Sequence, residues 1–120
     1  EYLKEGYVTY SNEAKEKLLG VSHGTLTAYG AVSPQTAAEM AKGGAEAAGA
    51  DICISVTGIA GPGGGTEEKP VGLVYTGCYC KGNVYTEKNL YSGSRSKIRE
   101  YAVANALTLL RKVILDEVKG

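Results

Sequence analysis

Apolar positions along this 120-residue chain follow two periods, and the switches between them mark the elements. Ile52-Cys53-Ile54-Ser55-Val56 is a nearly unbroken apolar run that predicts a buried strand ending at Thr57. Val71 to Cys80 and Val84 to Tyr91 predict two more strands, joined at Gly82-Asn83, a tight-hairpin signal. Gly6-Tyr7-Val8-Thr9-Tyr10 is a shorter β-prone run. Ser11 or Asn12 then caps a short helix through Leu19, stopped by Gly20, and Ser22 to Leu26 opens another helical turn that ends at Gly30. Ser33-Pro34 combines a hydroxyl N-cap with proline at the first helical position and predicts a helix to about Ala48. Ser94 to about Val118 predicts a long helix with Ile98, Tyr101, Ala102, Leu109 and Val113 on its core face. Asn105 interrupts that stripe and is expected to be a hydrogen-bonded polar group.

The order is strand, helix, helix, strand, strand, strand, helix. A helical segment between two strands implies a parallel crossover, and the hairpin adds antiparallel pairing. The pattern thus predicts a three-layer α/β/α domain with a mixed, mostly parallel sheet. The Ala-lined helix after Ser33 contains Gly43 and Gly44, each costing about 1 kcal/mol against Ala. Close packing on a sheet or another helix accounts for that cost, with a partner-subunit contact as the alternative. In such sheets ligands sit beyond the carboxyl ends of strands, where Tyr10 and Thr57 emerge.

Composition narrows the partners. The length fits one domain. Lys+Arg and Asp+Glu each number 13, so no basic face advertises nucleic acid or an anionic membrane. No apolar run approaches the ~20 residues of a membrane span, and the first residues do not resemble a secretory signal. Cys53, Cys78 and Cys80 are an odd set without a Cys-x-x-Cys pair, which argues against a disulfide framework and for a reducing cytoplasm. With His23 as the sole histidine, the ligands for a metal are too few. Neither metal nor cofactor is expected.

Candidate chemistry concentrates after the first buried strand. Thr57-Gly58-Ile59-Ala60-Gly61-Pro62-Gly63-Gly64-Gly65-Thr66 has five glycines in ten residues. Such a backbone can reach positive φ and present successive N–H groups to an anion. It is neither a Walker loop nor a dinucleotide fingerprint, and a flexible connector is the competing reading. Thr57 is placed to meet a ligand, or else bonds its own backbone. Lys15, in the first turn of its helix, sits at the positive end of the dipole, which depresses a lysine pKa as a general base requires; an ordinary solvated lysine is the alternative. Arg95 and Arg99 open the last helix, where they either face an anion or remain surface charges.

Several motifs in order resemble one family. They are Val8-Thr9-Tyr10-Ser11-Asn12-Glu13-Ala14-Lys15, Leu19-Gly20-Val21, Gly30-Ala31-Val32-Ser33, Ser55-Val56-Thr57-Gly58-Ile59-Ala60-Gly61-Pro62-Gly63-Gly64, Glu68-Lys69-Pro70-Val71-Gly72 and Tyr91-Ser92-Gly93-Ser94-Arg95. Across essentially the whole chain they resemble the C-terminal domain of the CinA family of competence/damage-inducible proteins, also found alone as nicotinamide-nucleotide amidohydrolases. The resemblance implies hydrolysis of the carboxamide of nicotinamide mononucleotide to nicotinate mononucleotide and ammonia, by a metal-free serine-based mechanism in which a lysine activates the hydroxyl. It assigns Lys15 as that base and Tyr10 as an ordering residue. Thr57, Gly58, Gly61, Gly63, Gly64 and Ser33 line the substrate site, and Arg95 or Arg99 faces the negative end.

The family's leading Ala-Glu-Ser-Cys-Thr-Gly-Gly-like loop and its Gly-x-Ser are expected upstream of Glu1, and the nucleophilic serine with them. Ser11 and Ser33 do not occupy that position. The expectation is a domain lacking its front part, with little or no amidase activity as these 120 residues alone. A separate N-terminal fragment or domain is the expected complement. Two other readings compete: a non-catalytic nucleotide-binding or regulatory module of a larger protein, and a dimerisation module. A homodimer is compatible with the amidase as well.

Overall fold

The computed structural model describes residues 21–119. Helix α1 spans His23–Tyr29 and α2 spans Pro34–Ala48. Strands β1 (Ile52–Gly58), β2 (Leu73–Cys80) and β3 (Asn83–Leu90) follow, and α3 (Arg95–Lys119) closes the chain. The expected strand at Gly6–Tyr10 and the helix through Leu19 lie outside the described residues, as do Tyr10 and Lys15.

Helix boundaries follow local chemistry. The Ser22 hydroxyl accepts the Thr25 N–H at 3.0 Å, and both Glu39 oxygens reach the same end of α1, bonding the Ser22 N–H and the Thr25 hydroxyl. A carboxylate there meets the positive end of the helix and its unpaired N–H groups. The Ser33 hydroxyl caps α2 through the Thr36 N–H at 3.2 Å. Gly49 ends α2 in the left-handed region at φ 62°, the usual way a helix terminates.

The three described strands form one sheet in the order β1-β2-β3. Both pairings are antiparallel, with Ile54 opposite Cys78 and Cys78 opposite Tyr85. The expectation of a mostly parallel sheet is corrected here. The physical reason is the connection: β1 and β2 are joined by the glycine loop, which folds back on itself through Ile59 N–H to Leu73 O (3.0 Å) and Gly72 N–H to Ile59 O (2.7 Å). A parallel pair needs a crossover to the far end of the sheet, and no described strand pair has one. The hairpin turn also sits one residue earlier than expected, because Lys81 adopts φ 49° and Gly82 φ 89°, so these two residues turn the chain.

Strand alternation separates the two faces. Ser55, Thr57 and Gly77 point toward α2, where the Ser55 hydroxyl donates to the Ala37 carbonyl at 2.6 Å. Ile52, Ile54, Cys78 and Cys80 point toward α3, packing on Leu109, Val113, Leu110 and Ile114. Val74 continues that layer onto Ile98 and Ala102. The result is a helix layer on each face of the sheet, the α/β/α arrangement the pattern predicted. On α2, Ala37, Ala41, Gly44 and Ala45 are buried, so its small-residue face is used to approach the sheet.

Two side chains of α3 depart from the expected stripe. Ala106 takes a core position, whereas Tyr101 is 44% exposed and instead packs on Tyr91, ring centroids 5.6 Å apart. Asn105 is half-buried and donates through Nδ2 to the Tyr91 hydroxyl, in line with its expected bonded role.

Candidate functional site

Three segments converge at the Gly58 end of β1: the turn Gly30–Ser33, the glycine loop and the start of α3. Thr57 joins the first two. It is 5% exposed, and its hydroxyl donates to the Ala31 carbonyl at 2.7 Å. It bonds another segment's backbone, not its own, so it fixes the α1–α2 turn against the end of β1. Ser33, 4% exposed, acts on the same turn: its hydroxyl and that of Thr36 lie 3.0 and 2.7 Å from the Gly30 carbonyl.

The glycines divide by position. Gly58 is the last residue of β1, paired with Val74, and a Cβ there would lie 2.8 Å from the Val74 side chain. Gly61 is buried and takes φ 83°, with a Cβ position 2.6 Å from Val71. Only glycine tolerates both that angle and that contact. Gly63 and Gly64 are exposed at the loop's outer curve, Gly64 at φ 91°. The loop is therefore tightly folded at its base and open at its tip, an arrangement that can present N–H groups to an anion.

Charge separates the two arginines. Arg95 Nη1 donates to the Gly61 carbonyl at 3.0 Å, which places its guanidinium against the loop. Arg99, one turn further, has no such contact among the described residues. Lys69, on the returning arm, sends Nζ to the Tyr29 carbonyl at 2.5 Å. Among the described residues neither Arg95 nor Lys69 is paired with a carboxylate. Two cations held only by neutral carbonyls keep an attractive field for an incoming anion. The sequence reading names Lys69 within the Glu68-Lys69-Pro70-Val71-Gly72 motif and assigns it no role. The one available signal was its position in the Glu68-Lys69-Pro70 turn, where the Lys69 N–H bonds the Thr66 hydroxyl at 3.0 Å.

Among the described residues no group of three His, Cys, Asp or Glu side chains could hold a metal ion, and no helix is long and apolar enough to cross a membrane. The cysteines are buried. Burial, and then the neighbouring Cys80 and Cys53, push the Cys78 thiol up to about 12; burial alone raises Cys53. Neither is primed as a nucleophile, since the thiolate is the reactive form.

Fold and site together define a layered α/β/α domain with a cation-braced glycine loop at the end of its first described strand. The family described as the CinA C-terminal domain matches residues 1–114, and the chain belongs to it. It is 56% identical over 112 residues to a competence-damage inducible protein of Clostridium novyi, covering 93% of this chain and 27% of that protein. To a CinA-like protein of Kosmotoga olearia it is 55% identical over 114 residues, covering 95% and 28%. The chain thus spans about a quarter of the length of these relatives. Among solved structures, the competence/damage inducible protein CihA of Agrobacterium tumefaciens aligns with TM-score 0.86 at 48% identity, covering 89% of this chain and 66% of that one. A CinA superfamily protein of Escherichia coli aligns with TM-score 0.84 at 40% identity, covering 88% and 61%.

Proposed function

We propose that this domain binds a pyridine mononucleotide and takes part in hydrolysing its carboxamide, nicotinamide mononucleotide giving nicotinate mononucleotide and ammonia. The observation that carries the reading is the Arg95 guanidinium set against the Gly61 carbonyl in a loop whose outer glycines are exposed. A phosphate at the loop would meet backbone N–H groups and a cation that no carboxylate pairs with among the described residues. Thr57 and Ser33 act behind the site, holding the Gly30–Ala31 turn in place.

In this reading Lys15 is the base and Tyr10 helps to order the site. A serine hydroxyl, from the leading segment that the family carries, attacks the carboxamide carbon. Lys15 takes the serine proton and returns it to the departing nitrogen, so ammonia leaves and an acyl-serine remains. Water then attacks the acyl carbon, with Lys15 accepting its proton, and the serine is regenerated with nicotinate mononucleotide. No metal or cofactor enters these steps.

The test is ammonia release from nicotinamide mononucleotide by the full-length protein, with Lys15→Ala beside it. Turnover lost in that variant, with unchanged far-UV circular dichroism, supports the reading. Unchanged turnover refutes the base assignment, and absence of turnover in the wild type refutes the amidase. A second reading, a homodimer, rests on Val103, Leu107 and Leu115 of α3, which are 58%, 59% and 48% exposed. Solution mass across protein concentration decides it.

A further inference from the structure

The turn between α1 and α2 has an unusual distribution of hydrogen bonds. Tyr29, Gly30 and Ala31 present three consecutive carbonyls, and each accepts from a side chain of a different element. Tyr29 O accepts from Lys69 of the glycine loop, Gly30 O from Ser33 and Thr36 at the start of α2, and Ala31 O from Thr57 of β1. Backbone carbonyls pair with other backbone groups, with side chains or with water. Three in a row fixed by side chains define the path of this turn from outside.

The three contacts are not equivalent. Thr36 and Thr57 belong to regular elements and Ser33 caps one, whereas Lys69 belongs to the glycine loop. Among the described residues its ammonium, bonded to the Tyr29 carbonyl, is the contact that ties the loop's returning arm to the α1–α2 connection. Gly30 accommodates it: φ is 83°, and a Cβ there would stand 2.8 Å from Lys69 Nζ. The turn is thus shaped to let the lysine in. The other supports of the loop, Arg95 to Gly61 O and the Ile59–Leu73 pairing, hold its base to α3 and β2.

We infer that Lys69 is a positioning residue that sets the spacing between the glycine loop and the Gly30–Ser33 turn, and so the width of the anion-binding cleft. It acts through Tyr29 O and the loop backbone and does not itself enter the chemistry. The inference rests on the anion-binding reading of the loop and deepens it by naming what holds the two walls apart at a fixed distance.

The test uses Lys69→Met, which keeps the stem and removes the donor, and Lys69→Arg, which keeps donor and charge, in the full-length protein. Hydrogen exchange without substrate is read at the amides of 29–33 and 59–72. Lys69→Met speeds exchange in both segments, and Lys69→Arg restores most of the protection. With nicotinamide mononucleotide, Lys69→Met raises KM about tenfold or more while kcat stays within about twofold, the pattern of lost binding without lost transition-state contact. Gly30→Ala, which displaces the ammonium, gives the same exchange change, and combining it with Lys69→Met adds little further.

Unchanged exchange in Lys69→Met overturns the inference, as does a fall in kcat at unchanged KM. Should the wild-type protein fail to turn over the mononucleotide, the amidase reading falls while this one is still decided. In that case the affinity of inorganic phosphate is measured. Weaker phosphate binding in Lys69→Met, restored in Lys69→Arg, supports the spacing role, and equal binding overturns it.

Discussion

The Ala37 carbonyl lies directly over Gly77, where an added Cβ would stand 2.3 Å away. Helix α2 can approach the central strand this closely because Gly77 has no side chain and the neighbouring Ser55 hydroxyl bonds the same carbonyl. Gly77→Ala is therefore expected to push α2 off the sheet and to cost about 3 kcal/mol or more, the upper range for overpacking a filled interior. Chemical denaturation of the variant checks it, and a loss under about 1 kcal/mol would show that the helix can slide freely.

Two buried threonines are expected to respond oppositely to the same substitution. Thr57→Val removes the donor to Ala31 O and leaves a carbonyl unpaired, at about 1–3 kcal/mol; Thr57→Ser recovers most of the loss. Thr76 lies on the other face of the sheet, fully buried, and its hydroxyl has no partner among the described residues. Thr76→Val swaps an unsatisfied hydroxyl for a methyl of similar shape and should raise stability by roughly 1 kcal/mol. Denaturation midpoints of the two valine variants moving in the same direction would contradict this account.

Arg95 and Arg99 are expected to separate in binding. Arg95→Ala removes both the contact to Gly61 O and a cation facing the loop. A charge-assisted hydrogen bond of about 2 kcal/mol corresponds to roughly 30-fold in KM. Arg99→Ala should stay within about threefold, as expected for a charge with no fixed partner among the described residues. Steady-state kinetics, or phosphate binding, distinguishes them, and equal effects would remove Arg95 from its assigned place.

The cysteines predict an alkaline weakening of the fold. Cys78 is held protonated up to about 12, against 9.0 for an ordinary thiol, and burial raises Cys53 as well. Above about pH 9 the unfolded chain loses these protons while the folded protein keeps them, so the unfolded state binds fewer protons and stability falls. The contribution is complete below pH 9 and is lost progressively toward pH 12. Denaturation midpoints should decline across this window, less steeply in Cys78→Val. Equal slopes for the two proteins would count against the buried thiol as the cause.

What sequence reading reached and missed follows the range of each interaction. Ser33-Pro34 located α2 to the residue, because an N-cap and a first-turn proline act within one helical turn. The buried run from Ile52 located β1 for the same local reason. The mostly parallel sheet does not hold for the described strands, whereas the crossover expected from a helix between two strand-like runs involves Gly6–Tyr10, outside the described residues. The described partner of β1 is instead β2, reached through the glycine loop. Arg95 and Arg99 could not be told apart in sequence, since what distinguishes them is a carbonyl 34 positions away at Gly61. Lys69 was overlooked for a related reason: its acceptor is the Tyr29 backbone, and a carbonyl leaves no trace in the residue type that carries it.

That anonymity has a practical side. The clamp on the α1–α2 turn grips main-chain oxygens, and the Tyr29 side chain is 51% exposed, free of the contacts its own carbonyl makes. Residue 29 is therefore a place where a fluorophore or an unnatural side chain can be installed at the rim of the cleft with the clamp intact. A reporter there would sit beside the Lys69 contact and follow any change that ligand imposes on it.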